Sequence, residues 1–281
     1  MNIGITGATG QLGRIVVEKL KDKGLAETVV ALVRSPEKAV GLGVEARMFD
    51  YERPDTEALI GIDKLLLISS NEIGKRLEQH TKVIEAAKKA GVKLIVYTSL
   101  LRADTSTLSL AGEHLGTEQA LEASGIPYVL LRNGWYTENN TGSLVDVLSS
   151  GVLYGSAGEG KTASATRADY ADAAVVVLTT DGHAGKVYEL AGDEAYTMAE
   201  FAAEATRISG KNVTYKNLTV NEYVAVLVNA GLPEGWAQFY GGTHASTEKG
   251  DLFDDGHQLS KLIGKPTTPL FKVMAEVLSN N

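Results

Sequence analysis

The sequence contains no cysteine among its 281 residues, which excludes disulfides, thiolate metal sites and cysteine nucleophiles. Positive charge is also scarce: 27 lysines and arginines stand against 35 aspartates and glutamates, a formal charge of −8. That balance argues against general nucleic-acid or anionic-membrane binding, though it leaves room for a local basic site. No apolar stretch approaches the roughly 20 residues needed to cross a bilayer. The first residues do not join a basic segment to a long apolar run, so the cytoplasm is the expected setting. The five histidines have no spacing that would gather them around a metal, and none is expected. Finally, none of the eleven tyrosines is followed by lysine four positions on. No ammonium therefore stands one helical turn away to lower a phenol's pKa and relay a proton.

What is present begins at the amino terminus. Met1 to Thr6 reads as a short apolar strand, Gly7-Ala8-Thr9-Gly10-Gln11-Leu12-Gly13 follows at once, and Ile15 to Leu20 continues with helical spacing. A strand that turns through glycines into a helix can hold a pyrophosphate. Glycine permits positive φ and close approach, and the helix start offers free N–H groups and a positive dipole end. Strand-like runs at 28–33, 45–49, 64–69, 93–98, 128–131 and 186–190 then alternate with helical stretches at 76–90, 113–123 and 168–178. The pattern predicts an α/β fold: a doubly wound parallel (Rossmann) sheet with a smaller C-terminal α/β lobe. Residues 1–133, with 162–192 returning, are assigned to a nucleotide-binding lobe; 134–161 and 193–281 form the smaller substrate lobe. Gly134 to Tyr136 and residues 151–161 read as loops, and a short strand is expected near 213–215.

The end of the second strand selects the cofactor. A carboxylate there would hold a ribose 2′-hydroxyl and repel a 2′-phosphate. This chain has Arg34 instead, and guanidinium pairs with phosphate through two N–H donors. NADP(H) is the expected cofactor. Asp50, ending the third strand, either meets the adenine edge or caps the helix that follows. Thr98 and Ser99 end the fifth strand, where ordinary short-chain dehydrogenases keep a serine, and are read as lining the cofactor. On the next helix His114 and Glu118 share a face at i, i+4, which makes His114 a candidate proton donor with Glu118 raising its pKa. Trp135 and Tyr136 suit a flat aromatic substrate or the core of a lobe junction, and Tyr136 is a second candidate acid.

These stretches resemble a known group. The glycine loop, Arg34, Leu66-Leu67-Ile68-Ser69-Ser70, Tyr97-Thr98-Ser99-Leu100 and Leu131-Arg132-Asn133-Gly134-Trp135-Tyr136 are similar to the NmrA-like branch of the atypical short-chain dehydrogenases. Within that branch, Ser164 to Tyr170, Val187 to Gly192 and Leu259 to Gly264 look most like bacterial NADPH:quinone oxidoreductases. The resemblance implies that Gly7, Thr9, Gly10, Gln11 and Leu12 wrap the pyrophosphate and that Arg34 meets the 2′-phosphate. It implies that Ser69, Ser70 and Asn71 lie along the ribose and nicotinamide path. Asn133, Gly134, Trp135 and Tyr136 would face the nicotinamide and substrate, with Arg167 reaching the same cleft or forming an ion pair.

Three functions compete on this reading. Reducing a quinone leaves a delocalised anion that water can protonate, so an enzyme without the Tyr/Lys pair suits a quinone or a similar electron-poor carbonyl compound. A carbonyl reductase or alcohol dehydrogenase using His114 or Tyr136 as acid is the second. A non-catalytic, NADP-binding redox-sensing regulator is the third. A small aromatic or carbonyl molecule is the expected partner. Apolar segments at Val224 to Val228 and Phe271 to Leu278 fit either core or a homodimer interface.

Overall fold

The computed structural model describes residues 1–279. Their strands are β1 (Ile3–Thr6), β2 (Val29–Val33), β3 (Glu45–Met48), β4 (Lys64–Leu67), β5 (Leu94–Leu100), β6 (Tyr128–Asn133), β7 (Val152–Gly155), β8 (Val187–Leu190) and β9 (Thr214–Asn217). The helices are α1 (Gln11–Asp22), α2 (Arg76–Ala90), α3 (Ala111–Ser124), α4 (Thr137–Thr141), α5 (Leu144–Ser150), α6 (Arg167–Thr179), α7 (Met198–Ser209), α8 (Val220–Asn229), α9 (Glu234–Glu248), α10 (Gln258–Ile263) and α11 (Leu270–Ser279). None is long and apolar enough to cross a membrane.

Seven strands form one sheet in the order β3-β2-β1-β4-β5-β6-β8. The pairs β1·β2, β1·β4, β2·β3, β4·β5 and β5·β6 are all parallel. Every residue of β1, β2 and β4 is buried, as strands covered on both faces must be, while the edge strand β3 is partly exposed. The strand order reverses between β1 and β4. Ligands of open α/β sheets sit at the carboxyl ends of such a pair.

The described chain divides into two compact units. The first comprises Met1–Asp104, Gly112–Asn133 and Arg167–Glu189; the second comprises Thr105–Ala111, Gly134–Thr166 and Leu190–Asn281, of which residues up to 279 are described. In the first, Leu12, Val16, Val17 and Leu20 give α1 one buried face, and α2 stops at Gly91, whose φ of +78° admits the left-handed cap that ends the helix. A core of Leu32, Phe49, Leu65, Val83, Ile95, Tyr97 and Leu130 fills the space between sheet and helices.

The second unit departs from the sequence reading. Residues 151–161, expected as a loop, contain β7, which pairs in parallel with β9, and residues 137–150, to which no element was assigned, form α4 and α5. Leu144, Val147 and Leu148 recur at helical spacing and pack with Phe201, Ala205 and Met274. The helix is only seven residues long, and the surrounding glycine and serine hide its period. Here α11 supplies core: Val273 and Met274 are buried, leaving Phe271 on the surface.

Candidate functional site

The glycine loop closes on itself. Gly7 has φ +59°, and its carbonyl accepts the N–H of Gly10 at 2.8 Å. A Cβ on Gly13 would overlap that carbonyl oxygen and lie 2.8 Å from Ala8 Cα, so only glycine lets α1 sit this close to the turn. No side chain caps the helix start at Gly10, and both Gly10 and Gln11 are exposed. Free N–H groups and the positive end of α1 thus remain available to an anion. Arg34 leaves the end of β2 with its side chain 72% exposed and only a 3.9 Å approach to Glu72. Asp50 caps no helix: its carboxylate accepts the N–H of Glu52 at 3.0 Å in a turn.

Tyr51 ties the two strands at the switch point. Its hydroxyl lies 2.6 Å from Thr6 Oγ1 and 2.7 Å from the Ile68 carbonyl oxygen. Thr6 Oγ1 in turn donates to Leu66 O and accepts from Ile68 N–H, both at 3.0 Å. Burial pushes the Tyr51 phenol well above its ordinary pKa, so it stays protonated.

The segment after β4 corrects the expectation for Ser70. Its N–H donates to His80 Nε2 at 2.9 Å, its hydroxyl donates to Gln79 Oε1 at 2.5 Å, and its carbonyl accepts from Arg76 Nε at 2.7 Å. Every polar group of Ser70 is spent on α2, and the residue is buried. These bonds hold the segment in place. Ser69 is half-buried with its N–H bonded to Thr98 Oγ1, while Asn71 is exposed. Thr98 and Ser99 are likewise internal: both are buried, and Ser99 donates to Glu118 Oε1 at 2.5 Å.

His114 and Glu118 do share a face of α3, but not a bond. Glu118 is gripped by Arg132, which donates from Nε at 2.9 Å and from Nη2 at 2.7 Å. Arg132 also reaches Glu189 at 2.8 Å, and these carboxylates raise its pKa further. His114 instead meets Tyr97 through Nδ1 at 2.7 Å and faces Arg76 through Nε2 at 3.4 Å. Guanidinium only donates, so Nε2 accepts and Nδ1 carries the proton. Burial, then the Arg76 charge, then His80 hold His114 well below its ordinary pKa. The expected acid with a raised pKa is therefore a buried neutral ring.

At the end of β6, Asn133 is buried, and its Oδ1 accepts no hydrogen bond from the described residues. Gly134 N–H donates to Leu190 O at 2.8 Å. Tyr136 precedes α4, bridges Ala165 through the backbone and is half-buried. Arg167 opens α6 and is half-buried. Among the described residues no three His, Asp or Glu side chains converge on a metal site.

The second unit contains a cavity of about 240 Å³, open to solvent on one side, that the sequence did not announce. Six rings line it: Trp135, Tyr154, Phe201, Tyr223, Tyr240 and His244. No aspartate, glutamate, lysine or arginine contributes to the wall. The Trp135 ring is pinned by its Nε1 donation to Asn140 Oδ1 at 3.1 Å, and Asn140 donates to the Tyr196 hydroxyl at 2.9 Å. His244 stacks on Tyr223 with ring centroids 4.5 Å apart. The signal available in the sequence was the i, i+4 pair Tyr240 and His244, which one helix face presents together.

Known proteins share this architecture. A family model described as NAD(P)H-binding matches residues 7–181. Quinone oxidoreductase 2 of Escherichia coli strain K12 is 54% identical over 284 residues, covering 99% of each chain. The crystal structure of an NADPH-dependent quinone oxidoreductase from Escherichia coli complexed with NADPH superposes with a TM-score of 0.96 at 54% identity, covering 98% of this chain and 99% of that one. Citrobacter sp. triphenylmethane reductase complexed with NADP(H) superposes with a TM-score of 0.95 at 38% identity, covering 98% and 100%.

Proposed function

This chain belongs to the NAD(P)H-binding family, and from that premise we propose that it is an NADPH-dependent reductase of quinones and similar electron-poor carbonyl compounds. The observation that carries the substrate class is the uncharged aromatic cavity of the second unit. Its volume exceeds the ~150 Å³ that suffices for a benzene ring. Rings stack on flat aromatic ligands, and a wall without formal charge favours a neutral one. The 54% identity to a quinone oxidoreductase along the whole chain supports the same reading.

The residues of the first unit fit NADP(H). The N–H groups at the start of α1, with Gly7, Thr9, Gly10, Gln11 and Leu12, would hold the pyrophosphate, and exposed Arg34 the 2′-phosphate. Asn133 Oδ1, buried without a donor, suits the amide N–H₂ of a nicotinamide. When bound, the cofactor supplies a hydride; with one proton from water, this takes a quinone to its hydroquinone. The chain's own part is to orient and to exclude water. Tyr51 and the α2 contacts to Ser70 keep the ends of β1 and β4 in one conformation, and Trp135 offers a fixed face for the acceptor.

A ketone reductase using His114 fits less well, because a neutral ring with a depressed pKa is a weak acid near neutral pH. The deciding experiment is steady-state oxidation of NADPH with 1,4-benzoquinone, with a panel of simple ketones, and without acceptor. Quinones should accelerate oxidation and simple ketones should not. Turnover of ketones alone would overturn the proposal; tight NADPH binding without turnover on any acceptor would point to a redox-sensing regulator.

A further inference from the structure

The cavity of the second unit carries a hydrogen-bond donor that the protein itself does not use. Ser156 N–H donates to His244 Nδ1 at 3.0 Å, so Nδ1 is an acceptor and cannot carry the ring proton. In the neutral imidazole the proton must then sit on Nε2. Burial pushes the His244 pKa down to about 4, which keeps the ring neutral at physiological pH. Among the described residues Nε2 makes no hydrogen bond, although the ring lines the cavity.

The ring is also held still. It stacks on Tyr223 with an interplanar angle of 26°. Its Nδ1–Cε1 edge lies against the end of β7, where a Cβ on Gly155 would come within 2.9 Å of Cε1. Glycine at 155 therefore lets the strand close on that edge. Nδ1 fixes the tautomer, the stack fixes the plane, and Nε2 is left over.

We infer that His244 Nε2 donates a hydrogen bond to a ring carbonyl oxygen of the aromatic acceptor in this cavity, an inference that rests on the cavity being the acceptor site as proposed above. A neutral donor suits a neutral quinone, since it places no uncompensated charge in an uncharged pocket. The same bond strengthens when the oxygen gains charge, because a fixed donor stabilises a developing anion without reorganising. No bond to Nε2 breaks. The hydride's two electrons enter the quinone, NADPH is oxidised to NADP⁺, and the proton that completes the hydroquinone comes from water.

The two ring nitrogens have separable roles, so two substitutions separate them. His244→Asn keeps an acceptor near Ser156 N–H and removes the donor at Nε2; His244→Gln keeps a donor near Nε2 and gives up the other. The readout is binding, not turnover: NADP⁺-loaded protein is titrated with 1,4-naphthoquinone and quenching of Trp135 is followed. The sequence has two tryptophans, so Trp236→Phe leaves Trp135 as the sole reporter, and no thiol is present to add to the quinone. H244N should bind the quinone roughly tenfold more weakly, as loss of one hydrogen bond dictates, with NADP⁺ affinity unchanged. H244Q should recover most of the quinone affinity.

Equal quinone affinity in H244N and its parent would overturn the assignment. Absence of saturable quenching in the parent would remove the acceptor-site reading, and this inference with it. Should H244N fail to fold, the ¹⁵N resonance of Nε2–H in the parent decides: it should move on adding naphthoquinone, and a stationary signal overturns the donor role.

Discussion

His80 Nε2 accepts the backbone N–H of Ser70 across 2.9 Å, and this bond sets the state of both groups. With Nε2 accepting, Nδ1 carries the proton and donates to Thr117 Oγ1 at 3.0 Å, while Thr117 donates onward to Glu113 O at 2.8 Å. Residue 70, at the end of the segment after β4, is thereby anchored to α2 and α3. His80→Ala removes both bonds and leaves a buried N–H unsatisfied. It should cost about 2–5 kcal/mol of stability, from an orphaned donor plus a cavity. Denaturant melts measure this, and NADPH affinity should fall in the protein that remains folded. Unchanged affinity would show that this anchor does not shape the cofactor site.

Acid should unfold the protein through its buried histidines. Burial chiefly lowers the pKa of His80 to about 3 and of His244 to about 4, and holds His114 well below the ordinary value. Each is neutral when folded and binds a proton when unfolded below about pH 6.5. Between that value and the folded pKa the unfolded state holds more protons, so stability rises with pH there and falls as pH drops. A tenfold difference in proton affinity between the folded and unfolded states corresponds to about 1.4 kcal/mol. Thermal midpoints should therefore be steady above pH 7 and decline from about pH 6.5 toward pH 4. His244→Asn should flatten part of that slope.

Gly13→Ala should damage the glycine loop more than Gly10→Ala. At position 10 an added methyl meets only the Gly7 carbonyl oxygen at 3.1 Å, whereas at 13 it strikes the backbone of both Gly7 and Ala8. Backbone cannot swing aside as a side chain can, so α1 must shift. Calorimetry with NADPH should show binding lost or weakened at least tenfold in Gly13→Ala and modestly weakened in Gly10→Ala.

Arg34→Ala discriminates between cofactors. The arginine is exposed with no short ion pair to break, so stability should hardly change. NADPH affinity should fall by about 1.5–3 kcal/mol, the worth of a charged hydrogen bond, with NADH unaffected. Equal losses for both cofactors would remove Arg34 from the 2′-phosphate site.

The Arg132–Glu118 pair is buried and bidentate, and breaking it should be costly. Arg132→Met leaves the buried Glu118 carboxylate without its ion-pair partner, for a loss of about 3–5 kcal/mol. Replacing both Arg132 and Glu118 with apolar residues should cost much less than the sum of the single changes, and a double-mutant cycle in urea measures the coupling.

The family was legible because its signals are local in the chain. A strand, a glycine turn and a helix are consecutive residues, and Arg34 stands at a strand end that periodicity alone locates. The uninterrupted apolar runs of β2 and β4 likewise announce strands buried on both faces, and the parallel sheet follows from their alternation with helices. Tertiary structure decided what side chains far apart in sequence do to one another. Ser70, Thr98 and Ser99 sit at strand ends where a ligand belongs, yet α2, Ser69 and Glu118 claim their polar groups. Glu118 belongs to Arg132, not to His114, because β6 places a guanidinium closer than the neighbouring turn of α3 can place an imidazole. The cavity of the second unit joins Trp135, Tyr154, Phe201, Tyr223 and His244 from five separate elements or loops, and no period in the sequence relates them. Residue type and spacing set what each segment can form; packing alone determines which donor meets which acceptor, and which, as at His244 Nε2, is left for a ligand.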